Sequence, residues 1–111
     1  MHLSSAIIVL LFAAFLEVGG DALVRAALHS SGSWRAGILF ALAAALLLAY
    51  ALMVNAPRWN FGRMLGLYIA FFFVVAQVVS WLAFAQPPPA RVLVGGALIV
   101  SGGFVIATAH V

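Results

Sequence analysis

Four apolar runs, each about as long as a bilayer crossing and separated only by short turns, constrain this chain more than any single residue does. They are Ser4 to Leu28, Trp34 to Asn55, Gly62 to Ala85 and Ala90 to Ala109. A hydrocarbon layer of about 30 Å needs about 20 helical residues to cross it, and each run supplies them. Backbone N–H and C=O groups find no water in lipid, so each run is expected to close its hydrogen bonds on itself as a helix. Connections of about five residues make successive helices antiparallel neighbours and leave no room for a domain outside the membrane. The expected fold is therefore an all-α bundle of four transmembrane helices, with residues 1–111 forming one domain. Composition agrees, because 68% hydrophobic and 6% charged residues lie far from soluble usage.

Against that background the stretch Glu17-Val18-Gly19-Gly20-Asp21-Ala22-Leu23-Val24-Arg25 stands out, since it holds the only two carboxylates of the chain. Residues four apart share a helix face, so Glu17, Asp21 and Arg25 form a ladder about 12 Å long. An ionisable group at membrane depth costs roughly 3 kcal/mol or more to insert, and its default reading is a functional site facing a partner or a wet cavity. Arg25 lies near enough to the helix end to snorkel and is expected to pair with Asp21 one turn below. That pairing would leave Glu17 as the group that takes up a proton. Gly19 and Gly20 strip side chains from the adjoining surface and let a helix or ligand reach the backbone. The plainer alternative is that Glu17 only hydrogen-bonds a neighbouring helix.

The other segments divide into scaffold and candidate site. The first run lacks Lys or Arg ahead of it and continues past any plausible cleavage point, so it is read as a retained helix and not a signal peptide. No cysteine is present, which excludes disulfides and thiolate chemistry. A net charge of +3, sparse and scattered, does not make a nucleic-acid surface. His29 is read as solvated, and Trp34 with Arg35 as interfacial anchors. The second helix, dominated by Ala and Leu, is read as scaffold with Tyr50 near its far boundary. In the third, Tyr68 is placed to donate a hydrogen bond to a carboxylate of the first helix, while Gln77 and Ser80 are polar groups needing partners, followed by Trp81. Phe71, Phe72 and Phe73 read as packing before they read as a cation pocket. Gln86-Pro87-Pro88-Pro89 is a stiff turn whose last proline suits the start of the fourth helix. There, Gly95-Gly96 and Gly102-Gly103 repeat at seven residues and form a close-packing face, read as a dimer seam with packing inside one bundle as the alternative. His2 and His110 are terminal. No metal spacing or nucleophile–base pair appears, so neither an enzyme nor a cofactor is expected.

Arg25, Arg35 and Arg91 fall on one side of the membrane, and Arg58 and Arg63 on the side of both termini. Orientation follows Lys and Arg in short loops, and this bias is small. A chain that inserts both ways can pair head to tail and bring two copies of Glu17 together near the midplane, as inverted repeats do in many transporters.

Several of these residues resemble the small multidrug resistance proteins of the drug/metabolite transporter superfamily, as a divergent member. The resemblance spans almost the whole chain. It rests on Glu17-Val18-x-Gly20-x-x-Leu23-x-Arg25, Pro57 before the third helix, Ser80-Trp81 and Phe84-x-Gln86 at its end, and Gly95-x-x-Leu98-Ile99-x-x-Gly102. It implies an antiparallel dimer in a bacterial inner membrane, whose paired glutamates are shared by protons and a cationic substrate. Glu17 would carry that role, with Tyr68 as the nearest equivalent of the aromatic residue that flanks the family's site; from the residues themselves Asp21 is added to the proton- and substrate-binding set, with Gly20, Arg25, Gln77, Ser80 and Trp81 in support. Gly95, Gly96, Gly102 and Gly103 would form the dimer contact. The chain departs from the pattern by adding Asp21, by carrying Ala70 and Phe72 where a glycine pair bends the third helix, and by Leu65 where a tyrosine is usual. Specificity for polyaromatic cations therefore does not transfer. The leading expectation is proton-coupled export of a small organic cation. The alternative is a non-catalytic membrane subunit or a flippase-like lipid carrier on the same bundle, and a heterodimer with a paralogous four-helix protein is compatible with the weak charge bias.

Overall fold

The computed structural model describes residues 3–109, so His2 and His110 lie outside the described residues. Four helices account for nearly all of it: α1 (Leu3–Leu28), α2 (Ser33–Asn55), α3 (Phe61–Phe84) and α4 (Ala90–Ala107). Each is long and apolar enough to cross a membrane. The helix ends fall where local chemistry puts them. At the end of α1 the His29 ring nitrogen Nδ1 lies 2.8 Å from the Arg25 carbonyl oxygen, so His29 closes the helix end instead of being simply solvated. Asn60 caps α3 by accepting from the Arg63 N–H at 2.8 Å. Trp59 Nε1 donates to the Val54 carbonyl at 2.8 Å and pins the turn between α2 and α3. Ala85, with φ of 53°, ends α3 in the left-handed conformation, and the Gln86 N–H returns to the Ser80 carbonyl at 3.0 Å. The prolines then forbid further helix, and Pro89 serves as the residue before the first turn of α4.

The helices form an open row. α1 packs against both α2 and α3, whereas α4 comes close only to α3, giving the spatial order α2, α1, α3, α4. The row measures 50 × 36 × 18 Å. Small residues decide who approaches whom. A Cβ added to Gly20 would sit 2.7 Å from the Leu47 side chain, so this glycine admits α2. Gly96 lies against the Phe73 ring, and a Cβ on Gly103 would come within 2.7 Å of the Ala70 Cβ, so these two admit α3. The buried core runs through Leu10, Ala13, Ala14 and Val18 of α1, Val54 of α2, and Met64, Tyr68 and Val75 of α3. On α4 the buried residues are the two glycines alone. Arg63 ties α4 down at its far end, its guanidinium donating to the carbonyls of Ile106 at 3.4 Å and Ala107 at 2.7 Å. Those are orphan carbonyls that a helix terminus otherwise leaves without a partner.

Candidate membrane-embedded binding site

Glu17 emerges from the buried face of α1, directly before Val18, and is itself half-buried. The Tyr68 hydroxyl on α3 donates to its Oε1 at 2.9 Å. Tyr68 is held in place from two sides, stacked on Tyr50 of α2 with ring centroids 5.4 Å apart and tilted against Phe72 at 6.2 Å. Three helices thus meet at one carboxyl. The phenol suits either form of the acid, since an ionised carboxylate accepts through either oxygen and a protonated one through its carbonyl oxygen. Sequence reasoning left Tyr50 at a boundary and assigned it no role. The available signal was that Tyr50 and Tyr68 are the only two tyrosines of the chain, each placing a hydroxyl in an apolar helix.

One turn along α1, Asp21 is exposed and faces an open cleft of about 290 Å³, whose wall also carries Arg25, Ser80, Gln86, Phe72 and Phe84. The expected Asp21–Arg25 pair does not form. The Arg25 guanidinium lies over the Phe84 ring, 5.1 Å from its centroid, an arrangement in which the ring face attracts the cation while both charges keep free hydrogen-bonding capacity. Ser80 Oγ donates to the Gln86 carbonyl at 3.1 Å, so it closes the end of α3 while also lining the cleft. Gln86, which the sequence places in the turn after the third helix and in the resemblance, is also a wall residue.

The remaining candidates fall elsewhere. Gln77 is half-buried and makes no side-chain hydrogen bond among the described residues, and it does not line the cleft. Trp81 is 58% exposed on the outer face of α3. Gly20 meets α2 and not the cleft. The helix 4 glycines divide between two faces, because neighbouring residues on a helix point about 100° apart. Gly96 and Gly103 are spent on α3, whereas Gly95 and Gly102 have nothing within 4 Å of an added Cβ. Among the described residues no group of three or more His, Asp or Glu converges as a metal site would require. Compared with family models, with curated proteins and with solved structures, the chain matches none of them.

Proposed function

We propose that this chain is a small proton-coupled membrane transporter that exports an organic compound bearing a cationic group. The observation that carries the reading is the Glu17–Tyr68 hydrogen bond of 2.9 Å at the meeting point of three apolar helices. A carboxyl in that position is costly, and beyond the hydrogen bond it makes to a neighbouring helix its chemistry is to hold a proton or a cation. One carboxylate cannot hold both at once, so arrival of either releases the other. Asp21, one turn along, is open to a cleft that Glu17 itself does not line, and the two share the α1–α3 side through Val18 and Phe72. The reading assigns no covalent chemistry and needs no cofactor. The resemblance of the Glu17-Val18-x-Gly20 stretch to small multidrug resistance proteins supports an antiparallel homodimer, or a pair with a paralogous four-helix protein, in a bacterial inner membrane. Gly95 and Gly102 are the free part of α4 for such a contact.

The test is transport in proteoliposomes under an imposed pH gradient. Glu17→Gln keeps size and hydrogen bonding but removes the titrating charge, so it should abolish proton-coupled movement while insertion and association persist. Full coupled transport by that variant would sink the mechanism. A second reading has its own observation: α3 runs unbroken from Phe61 to Phe84, with Ala70 and Phe72 where the resembling family has a glycine bend. It makes the chain a non-transporting subunit or lipid carrier, and it takes precedence if Glu17→Gln changes assembly and no cation moves with the unmodified protein.

A further inference from the structure

The Asp21 cleft is formally neutral, with Asp21 and Arg25 as its two charged wall residues. They project from successive turns of α1, a rise of about 6 Å. The two make no direct ion pair, since the guanidinium is seated on Phe84. A guest carrying only positive charge would be drawn to Asp21 and repelled one turn away by Arg25. A guest carrying both signs satisfies both residues. The Arg25 fork suits a carboxylate or phosphate, and the planar group retains donors while its face rests on an aromatic ring. Phe72, Ala76 and Val79 supply an apolar wall, and the uncharged Gln86 sits beyond the end of α3. Arg25 belongs to the last turn of α1, which puts the cleft at the end of the membrane-crossing segment, where polar headgroups and dissolved solutes both arrive.

Resting on the transport reading above, we propose that the guest is a zwitterion, its ammonium group taken by Asp21 and its anionic group by Arg25. The same chemistry is found in a small dissolved zwitterion and in a zwitterionic phospholipid headgroup, and two arms of one experiment separate them. In the first, the full chain in phosphatidylglycerol nanodiscs is titrated calorimetrically with glycerophosphocholine, choline and glycerol 3-phosphate. In the second, protein extracted from mixed phosphatidylethanolamine and phosphatidylglycerol bilayers is weighed by native mass spectrometry for the lipid it retains. Glycerophosphocholine binding at least tenfold tighter than choline or glycerol 3-phosphate, and weakened at least tenfold by Asp21→Asn and by Arg25→Gln, identifies a dissolved zwitterion. Selective retention of phosphatidylethanolamine, lost in the same two variants, identifies the headgroup. Arg25→Gln removes an interfacial charge that also bears on insertion, so Asp21→Asn and Arg25→Lys, with helicity and elution volume checked, keep the test decisive. The proposal is overturned if choline binds as tightly as glycerophosphocholine, or if no probe binds and no zwitterionic lipid is retained. Proton-coupled movement of a simple cation would survive that result. Conversely, zwitterion binding through Asp21 and Arg25 without any proton-coupled movement would overturn transport and leave the guest assignment standing.

Discussion

Gly102 and Gly103 are adjacent in sequence, yet their replacement by alanine should have opposite consequences. A Cβ on Gly103 would lie 2.7 Å from the Cβ of Ala70. That is about 1 Å inside the 3.5–4.0 Å separation at which carbon atoms rest. Ala70 is a methyl fixed to the α3 backbone and has no rotamer to yield, so relief requires α3 and α4 to move apart. Overpacking of this kind costs about 1–3 kcal/mol, or roughly 5- to 150-fold in the equilibrium between docked and undocked α4. At Gly102 an added Cβ has nothing within 4 Å, and because glycine inside a helix is less favourable than alanine by roughly 0.5–1 kcal/mol, Gly102→Ala should stabilise the monomer by about that much. Reversible unfolding in mixed detergent micelles, followed by helicity and tryptophan fluorescence, measures both. If Gly103→Ala is as stable as the parent, or if Gly102→Ala is the costlier change under monomeric conditions, the assignment of these two faces is wrong.

Tyr68→Phe removes the hydroxyl but keeps the ring on Tyr50, so the helices should remain assembled. A hydrogen bond to a charged group is worth about 1.5–3 kcal/mol, and coupled transport in proteoliposomes should fall about tenfold or more; an unchanged rate would mean that the phenol plays no part. Gly102→Leu should reduce crosslinked dimer in membranes while leaving monomer stability intact, and undiminished dimer would move the interface to another face. A reporter at the C-terminus should be found on both sides of the membrane, and Arg35→Ala with Arg91→Ala should drive it to the cytoplasm, because Arg25 alone then opposes Arg58 and Arg63. A single orientation in the unmodified protein would contradict the antiparallel homodimer and leave either a parallel assembly or an oppositely inserted partner.

The helices were legible because their cause is local: apolar length, capping residues and proline act within a turn or two of where they stand. Glu17 with Tyr68 was legible for a related reason, since a carboxyl and a phenol in apolar helices have few partners to choose from. What the linear pattern does not carry is which flank of a helix a neighbour occupies. The glycine pairs of α4 repeat at seven, and that period is the same whether one face or two adjacent faces are used. Contact with Phe73 and Ala70 splits them, and those residues lie 23 and 33 positions away in sequence from Gly96 and Gly103. The Arg25 position failed for a similar reason. An i,i+4 pairing with Asp21 is the local optimum on an isolated helix, but Phe84 of another helix offers its ring face, and tertiary context decides.

The open row also separates the parts of the molecule by task. The Glu17–Tyr68 bond lies in the seam between α1 and α3, the middle of the row, and α2 reaches it only through the Tyr50 ring. α4 supplies nothing to that site. It touches α3 through two glycines and through Ile106 packed on Gly66, is anchored by Arg63 at its C-terminal end, and leaves Gly95, Leu98 and Gly102 turned away from the chain. A change on that outer face should therefore alter association without moving Glu17. A change at Gly103, by contrast, presses on Ala70, which lies two residues from both Tyr68 and Phe72 on the same helix. If α4 meets a partner as proposed, the same glycine-rich stretch carries two mechanical connections, one outward and one back to the carboxyl, and only substitution at single positions distinguishes them.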